Sequence, residues 1–504
     1  MNDRSQRGTS GSNPSVSRCL HGMVLLASLL LGSSALAETY DLVLQGGRVM
    51  DPESGLDGTR NVGIIKDKIV RISSEALTGR RIIDARGLVV SPGFIDLHQH
   101  AQDLESGRLK AFDGVTSGLE MEIGVPDVAA FLHHKADHSL INYGTTASHA
   151  AARALVFGAP VSEEQLVPPA GAATDQAATD AQIETMQARL RNQLDAGALG
   201  IGMGIQYTPG ATRDEVIRMF RVAAERRVPV FTHVRSFGRL EPGSSIEAVG
   251  EVIAAAAVTG ASLQIVHINS SCLKDGLECL AMVAGARARG LDVTTEAYPY
   301  TAGMTYINSA LFNPGWKEKL GIDYSALVLP DSGEKLTQSR FETLHKSSAP
   351  QAVLVFMNSQ EMADAVIANP LVMIASDGEM GHPRNAGTFS RVLARYVREI
   401  GSVTLMDAIR KMSLMPAQRL EKSVGASHRK GRLQEGADAD VVVFDPKTVS
   451  DRATYQAPRE PSVGMKFVIV GGTVLIDQGK LLPNTFPGRP LCNAQTGCAP
   501  GQSP

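Results

Sequence analysis

Across residues 93–425, short apolar runs alternate with longer stretches rich in Ala, Arg and Glu. Short apolar runs predict strands buried on both faces, and the stretches between them are long enough for crossover helices. Eight such runs with helices between them are what an α/β fold of the (β/α)8 TIM-barrel type requires. The strand runs are 93–97, 114–122, 142–148, 200–205, 228–233, 262–267, 291–295 and 371–376, and the clearest helices are 181–196, 213–227, 245–259 and 275–289.

The two ends of the chain have a different sequence pattern from the barrel region. Both read as short strands separated by Gly and Asp turns, and Gly46-Gly47-Arg48-Val49 resembles Gly471-Gly472-Thr473-Val474. We therefore expect both ends to build one small β-sandwich. A longer segment inside the barrel region exceeds one strand–helix unit and predicts an insertion near the barrel mouth. The predicted boundaries are a signal peptide at 1–37, sandwich strands at 38–92, the barrel at 93–425 with its insertion at 302–368, further sandwich strands at 426–490 and a tail at 491–504.

The first 37 residues have the pattern of an export signal. A polar, basic stretch precedes the apolar run Met23–Leu31, and Ala35-Leu36-Ala37 matches an A-x-A cleavage site. The apolar run is shorter than the about 20 residues that a membrane-spanning helix needs. We expect the signal to be removed, the mature chain to have no membrane span, and the protein to be exported to a bacterial periplasm.

The four cysteines after the signal fall into two pairs. Cys492 and Cys498 lie close together in a Pro- and Gly-rich tail, which predicts a small disulfide loop. Cys272 and Cys279 lie within the barrel region at a spacing that does not fit a CxxC metal or redox motif. We expect these two to be buried apolar side chains.

The charge balance of the chain argues against nucleic acid as its partner. The chain has 49 Lys and Arg residues against 52 Asp and Glu residues, a formal net charge of -3. A nucleic-acid-binding protein usually carries a basic patch and a high isoelectric point. We therefore expect a small-molecule substrate rather than nucleic acid.

Histidines at the carboxyl ends of predicted strands indicate the chemistry. His98 and His100 end the first strand, and residues two apart on a strand project to the same side. His233 and His267 end the fifth and sixth strands, and Asp377 follows the last. Active sites of such barrels lie at this end of the strands. The set predicts a site for one or two divalent ions.

Two acidic residues end the second strand, Glu120 and Glu122. At alternate positions both would face inward, where an unpaired carboxylate is costly and metal coordination relieves the cost. Glu122 is nearer the carboxyl end, so we prefer it as the ligand. Glu120 would then need a cation or a hydrogen-bond partner deeper in the barrel. The alternative is that both acids lie on a solvated loop.

Several short motifs surround or follow these candidate ligands along the chain. They are Pro92–His100, Gly197–Gly202, Tyr207–Gly210, Thr232–Arg235, Tyr298–Gly303, Ser376–Gly378 and His382–Arg384. Together they resemble the amidohydrolase superfamily, and within it the N-acyl-D-amino-acid deacylases, or D-aminoacylases. The resemblance covers nearly the whole chain after the signal. It implies a distorted (β/α)8 barrel with a β-sandwich formed by both chain ends, which agrees with the strand pattern.

The resemblance also implies roles for individual residues. It implies that His98, His100 and Asp377 hold one Zn²⁺ ion and that His233 and His267 hold the other. It further implies that Asp377 is the general base and acid.

Two positions depart from the deacylase pattern. The second strand of the deacylases ends in Asn-Cys-Gly with the Cys as a zinc ligand, whereas this chain has Glu120-Met121-Glu122-Ile123-Gly124. A carboxylate is a harder ligand than a thiolate and readily bridges two ions. A His-x-Lys segment of the deacylases is here His267-Ile268-Asn269, which removes a positive charge from the pocket. These departures bear on the substrate more than on the reaction type.

The predicted activity is hydrolysis of a linear amide, most specifically an N-acyl-D-amino acid, by metal-activated water with Asp377 as the base. Tyr298 is the candidate donor to the oxyanion, and Arg384 or Arg235 is the candidate partner of a substrate carboxylate. Tyr207 completes the predicted substrate-binding set. The alternatives are a cyclic-amide hydrolase of the dihydroorotase or hydantoinase type, a dipeptidase, and a catalytically dead periplasmic binding protein.

Overall fold

Apolar β-branched runs form the strands of the protein, and Ala-, Glu- and Arg-rich segments form its helices. The structure is a computed structural model that describes residues 39–162, 165–347 and 349–498. The predicted signal peptide lies outside these residues. The strands are β1 (Thr39–Asp51), β2 (Leu56–Ile65), β3 (Lys68–Ser73), β4 (Thr78–Asp84), β5 (Val89–Pro92), β6 (Phe94–Asp96), β7 (Val115–Val125), β8 (Asn142–Ser148), β9 (Ile201–Gly204), β10 (Val230–His233), β11 (Leu263–Ile265), β12 (Val293–Ala297), β13 (Ala302–Tyr306), β14 (Leu327–Val328), β15 (Ala352–Phe356), β16 (Val372–Ile374), β17 (Val441–Phe444), β18 (Met465–Val470), β19 (Thr473–Asp477) and β20 (Lys480–Leu481).

The helices begin at residues that cap them well. Thr179, Thr212 and Ser244 each accept a backbone hydrogen bond at the start of a helix of the barrel layer. None of the described helices is long and apolar enough to cross a membrane. The α-helices are α1 (Leu104–Phe112), α2 (Val128–Lys135), α3 (His149–Val156), α4 (Ala172–Asp175), α5 (Asp180–Asp195), α6 (Arg213–Glu225), α7 (Ser245–Thr259), α8 (Ile268–Cys272), α9 (Gly276–Ala288), α10 (Trp316–Leu320), α11 (Gln338–His345), α12 (Gln360–Ala368), α13 (Arg384–Arg391), α14 (Leu405–Met412) and α15 (Leu414–Leu420).

The eight strand runs expected from the sequence form one parallel sheet in chain order, β6-β7-β8-β9-β10-β11-β12-β16. The first and last strands meet at the mouth, where the His100 N–H donates to the Gly378 carbonyl at 2.9 Å and the Gly378 N–H donates to the His98 carbonyl at 3.1 Å. The four clearest predicted helices are α5, α6, α7 and α9. The prediction of a TIM-type barrel is confirmed.

Both ends of the chain contribute to a second sheet of nine strands. Its order is β20-β19-β18-β17-β5-β1-β2-β3, with β4 paired to β1. Strand β17 pairs antiparallel with β5, so the C-terminal strands extend the N-terminal ones. The sheet has its own apolar core, in which Leu44, Val62, Val441 and Ile469 are fully buried. The prediction of one β domain built from both ends is confirmed.

The segment between β12 and β16 carries a small antiparallel sheet of its own, in the order β13-β15-β14. The helix α12 follows this sheet and packs against α8, α9 and β16. It therefore belongs to the helical layer of the barrel. The predicted insertion ends at residue 368, the last residue of α12, so its bounds include a helix that packs with the barrel layer.

The predicted C-terminal tail is partly built into the barrel. The Leu491 N–H donates to the Tyr143 carbonyl at 2.7 Å, and the Asn493 side chain donates to the carbonyls of Leu194 and Ala198. Leu491 is buried in one apolar cluster with side chains of the barrel interior. The contacts lie at the amino-terminal ends of β8 and β9, which is the floor of the barrel.

The cysteines form two disulfides. Cys492 pairs with Cys498, as the sequence predicts. Cys272 also pairs with Cys279, so the expectation of two unpaired apolar side chains is wrong. The chain reverses between α8 and α9 through a short turn and brings the two Cα atoms to 6.5 Å. Sequence spacing does not reveal such a turn.

Candidate metal centre and its cavity

Four histidines and two carboxylates converge at the carboxyl ends of the barrel strands. His98 and His100 follow β6, and His233 is the last residue of β10. His267 follows β11 and Asp377 follows β16. Parallel strands end at the same rim of a barrel, so side chains far apart in sequence meet there. All are buried except His100, which is partly exposed.

One group of ligand atoms forms around His98 and His100. Their Nε2 atoms lie 3.1 Å apart. The Glu122 Oε2 atom lies 3.2 Å from the first and 3.1 Å from the second, and the Asp377 Oδ1 atom lies 3.5 and 3.3 Å from them. These four atoms could hold one metal ion.

A second group forms around His233 and His267. The His233 Nδ1 atom lies 3.1 Å from the His267 Nε2 atom. The Glu122 Oε1 atom lies 2.6 Å from the former and 2.8 Å from the latter. Glu122 therefore contributes one oxygen to each group, as a carboxylate that bridges two ions would.

The surroundings of the imidazole rings fit a metal site. The outer Nδ1 atoms of His98 and His100 lie 2.6 Å from the carboxylates of Glu296 and Glu120, and the His267 Nδ1 atom lies 3.1 Å from the Ser271 hydroxyl. A neutral imidazole that donates from one nitrogen presents a lone pair on the other. Two nitrogen lone pairs that face each other at 3.1 Å repel, and either a proton on one ring or a metal ion between the rings removes that repulsion. Nitrogen and oxygen ligands of this kind suit zinc and similar divalent ions.

The charges of the cluster support the same conclusion. Burial alone would lower the pKa of His98, but the carboxylates of Asp377 and Glu122 outweigh it and raise that pKa to about 10. Burial would raise the pKa of Glu122, yet His98 and His233 hold it well below its usual range. The carboxylates are therefore ionised, and a divalent ion would take the place of a proton.

Glu120 has a different role from Glu122. Its Oε1 atom accepts hydrogen bonds from the backbone N–H groups of Ile123 at 3.0 Å and Gly124 at 3.2 Å, and its Oε2 atom contacts His100. Glu120 therefore has hydrogen-bond partners, as the sequence argument required, but they lie toward the carboxyl end of β7 and not deeper in the barrel. The structure thus places Glu122, and not Glu120, between the two histidine pairs.

Sequence reasoning missed a buried network beneath the ligands. The Asp96 Oδ1 atom accepts hydrogen bonds from the N–H groups of His98 at 3.1 Å and Ser376 at 2.9 Å. The Lys110 ammonium lies 2.7 Å from the Asp96 Oδ2 atom, and both side chains are fully buried. Asp377 has a left-handed backbone with φ of 51°, and a conformation of this kind persists only where its surroundings impose it. An acid inside an otherwise apolar strand was the available signal for Asp96.

Tyr298 and Arg384 lie beside Asp377. The Tyr298 hydroxyl is buried beside Ser270 and forms no well-aligned hydrogen bond among the described residues. The Arg384 Cζ atom lies 4.7 Å from the centre of the Tyr298 ring. The Arg384 Nη1 atom is 2.8 Å from the Asp377 Oδ2 atom but is not aligned as a hydrogen bond. Burial would raise the pKa of Asp377, but Arg384 and His98 hold it well below its usual range.

The structure does not bring Arg235 to the site. Its guanidinium holds Glu251 on α7, with an Nη2–Oε1 distance of 2.7 Å and an Nε–Oε2 distance of 2.8 Å. It lines a separate cavity of about 300 Å³. In this structure Arg235 is therefore not placed to hold a substrate carboxylate at the metal centre, because its guanidinium pairs with Glu251. Tyr207 does line the metal cavity, with its ring centre 4.8 Å from that of His233.

The metal ligands open into a cavity of about 550 Å³. Its wall includes residues of the inserted sheet. Glu379 places a carboxylate on the wall, and the Lys135 ammonium contacts the Gln102 carbonyl there. The apolar lining includes Val125, Phe131, Phe237, Met304, Val355 and Met357.

The chain is similar in sequence and in fold to known metal-dependent amidohydrolases. The chain matches the sequence model of the amidohydrolase family over residues 81–476. It is 32% identical over 490 residues to the N-acyl-D-glutamate deacylase of Alcaligenes xylosoxydans xylosoxydans, covering 90% of this chain and 97% of the relative. It is 29% identical over 470 residues to the D-aminoacylase of that organism, covering 86% and 94%. This chain also superimposes on the crystal structure of N-acyl-D-glutamate deacylase from Bordetella bronchiseptica, with a TM-score of 0.76 and 27% sequence identity. The superposition covers 90% of this chain and 100% of that one. The crystal structure is a complex with zinc and a phosphonate inhibitor that mimics the tetrahedral reaction intermediate.

Proposed function

We propose, from the premise that this chain belongs to the amidohydrolase family, that it removes the acyl group from N-acyl-D-amino acids at a zinc centre. The observation that carries the proposal is the position of Glu122. Its two oxygens lie within 3.2 Å of four imidazole nitrogens from three parts of the barrel rim. Such a carboxylate is suited to bridge two divalent ions. His98, His100 and Asp377 would hold one ion, and His233 and His267 the other.

Bound zinc would supply a water of pKa about 7 and would polarise the scissile carbonyl. The protein has to move one proton and stabilise one negative charge. Asp377 is placed for the proton, since its Oδ1 atom faces the imidazole pair and its Oδ2 atom faces Arg384. Ionised by these neighbours, it accepts the proton of the attacking water and delivers it to the leaving nitrogen.

Tyr298 and Arg384 are placed to bind the substrate. Tyr298 lines the cavity and its hydroxyl forms no well-aligned hydrogen bond among the described residues, so it can donate to the developing oxyanion. The buried Arg384 guanidinium pairs with Asp377 but forms no aligned hydrogen bond within the described chain. A buried guanidinium with donors to satisfy attracts a carboxylate, and the α-carboxylate of the amino acid is the candidate.

The cavity favours an apolar amino-acid side chain over an acidic one. Apolar side chains such as Phe131 and Phe237 line much of the cavity beyond the metal ligands, and the wall also holds the Glu379 carboxyl, whose pKa is raised by burial. The Lys135 ammonium, also on the wall, already contacts the Gln102 carbonyl. A second substrate carboxylate would meet the Glu379 carboxyl and would have to share the Lys135 ammonium with the Gln102 carbonyl, whereas an apolar side chain would meet the apolar lining.

Export is part of the proposal. The sequence of residues 1–37 has the three regions of a signal peptide. The two disulfides support an oxidising compartment, because such bonds are rare in the cytosol of most bacteria. We propose that the protein acts in the periplasm.

A substrate panel tests the activity. Zinc-loaded protein is assayed with N-acetyl forms of D-Leu, D-Met, D-Glu and L-Leu, with a cyclic amide and with dipeptides. We expect N-acetyl-D-Leu and N-acetyl-D-Met to have the highest kcat/KM, and chelation to abolish turnover until Zn²⁺ is restored. Asp377→Ala is the control for contaminating activity, and its kcat should fall by several orders of magnitude. Hydrolysis of only the cyclic amide, or a rate that survives complete metal removal, would refute the proposal.

A further inference from the structure

We propose that the disulfide between Cys272 and Cys279 positions His267 as a metal ligand. The inference rests on the metal-dependent function proposed above, and it assigns a role to a covalent bond that lies outside the ligand set. The alternative is that this disulfide only stabilises the fold, as any disulfide does.

The backbone around His267 is held in an unfavourable conformation. His267 has φ of 29°, and Leu273 at the other end of α8 has φ of 48°. Neither residue is glycine, and left-handed backbone is unfavourable for other L-residues. A five-residue helix bounded by two such residues does not hold its shape alone. Its surroundings have to impose the shape.

Hydrogen bonds link this helix to the site. The Ser271 hydroxyl lies 3.1 Å from the His267 Nδ1 atom, and the Ser271 N–H donates to the His267 carbonyl at 3.0 Å. The Asn269 side chain donates to the Tyr298 carbonyl at 3.1 Å. The orientation of the His267 ring therefore depends on where Ser271 lies, and α8 also contacts the candidate oxyanion donor.

The disulfide fixes the residue next to Ser271. Cys272 is the last residue of α8, and Cys279 lies near the start of α9. Both are fully buried, and the bond ties the end of the short helix to a helix of 13 residues. Release of this bond would leave the turn at Leu273 free to relax. Ser271 would move with it, away from the His267 ring.

The second disulfide is a matched control. Cys492 and Cys498 are separated by 6 positions and Cys272 and Cys279 by 7, so loop closure stabilises the fold to a similar extent in both cases. The Cys492–Cys498 loop is at the barrel floor and is not bonded to a metal ligand. A purely stabilising role predicts similar effects of the two deletions on zinc binding, whereas a positioning role predicts different effects.

Zinc competition against a chromophoric chelator measures the difference on the full-length mature protein. We expect C272A/C279A to bind one of its Zn²⁺ ions at least about tenfold more weakly, the effect typical of losing an outer hydrogen-bond partner of a ligand. C492A/C498A should stay within twofold of the wild type. Ser271→Ala keeps both disulfides and should weaken the same ion, so the inference can still be tested if C272A/C279A does not fold. Circular dichroism checks folding of each variant.

Equal zinc affinity in the two double variants would overturn the inference, and so would Ser271→Ala with wild-type affinity. A wild-type protein that binds no zinc would overturn it together with the proposed function. If the zinc results are as expected but no N-acyl amino acid is hydrolysed, the proposed function fails and the positioning role stands.

Discussion

Glu122 joins the two halves of the metal centre, and no other described side chain belongs to both groups of ligand atoms. A bridging carboxylate also lowers the repulsion between two cations by placing a negative charge between them. Binding of two ions by Glu122 would therefore need both its negative charge and its two oxygen atoms. Glutamine keeps the shape but supplies only one oxygen and no charge.

We expect Glu122→Gln to lose zinc from both positions, with a fall of at least about tenfold in affinity. The matched control is Glu379→Gln, because Glu379 lines the same cavity but is absent from both ligand groups. Zinc content after dialysis against a low concentration of chelator, measured by mass spectrometry, tests both variants. Two tightly bound ions in Glu122→Gln would contradict the bridging role.

At the residue scale, the sequence predicts ligands better than substrate contacts. His98 and His100 are recognisable because alternation on a strand fixes where their side chains point. Arg235 lies only two residues past His233, yet it leaves the barrel with the loop and pairs with Glu251. The direction of a long side chain after a strand end depends on the loop path, which local sequence does not determine. The pairing of Cys272 with Cys279 was hidden for the same reason.

At the scale of elements, Asp96 and Lys110 join three parts of the barrel. Asp96 lies on β6, Lys110 on α1, and Ser376 directly before Asp377 at the end of β16. The Lys110 ammonium contacts both the Asp96 carboxylate and, at 2.5 Å, the Ser376 hydroxyl. The network connects the first and last strands, which the described residues otherwise join through an isolated bridge between Gln99 and Gly378. The apolar runs predicted β6 and β16, but they did not indicate that a buried ion pair on α1 connects the two strands.

We expect Lys110→Met to lower the free energy of unfolding by about 3–5 kcal/mol, because it leaves the buried Asp96 carboxylate without its cation. Arg108→Met is the control on the same helix. Arg108 pairs with Glu105 at the surface, where an ion pair is worth at most about 1 kcal/mol. Urea denaturation of both variants with zinc in excess measures the difference. Equal denaturation midpoints for the two variants would show that the buried Lys110–Asp96 pair stabilises the fold no more than the exposed Arg108–Glu105 pair.

At the scale of the whole molecule, the C-terminal segment completes two structures. Strands β17 to β20 extend the N-terminal sheet, and Leu491 then fills the floor of the barrel. The sequence predicted the contribution to the sheet, since both chain ends show the same pattern of short strands separated by Gly and Asp turns. It did not predict the contribution to the barrel floor, because a single apolar residue in a Pro- and Gly-rich tail has no periodicity. The metal centre and this floor lie at opposite ends of the same strands, which separates function from stability in space.

Leu491→Ala tests that separation. Leu491 is 3% exposed and belongs to the same buried apolar cluster as Leu97, Leu119 and Phe231, so its truncation should lower the free energy of unfolding by about 2–5 kcal/mol. Leu240→Ala is the matched control, because Leu240 is 51% exposed and the same truncation should change stability by less than about 0.5 kcal/mol. Below its unfolding transition, Leu491→Ala should keep the zinc content of the wild type, since no metal ligand contacts the floor. A loss of zinc from the folded variant would mean that packing at the floor is transmitted along the strands to the ligands, and the two ends of the barrel would then have to be treated as coupled.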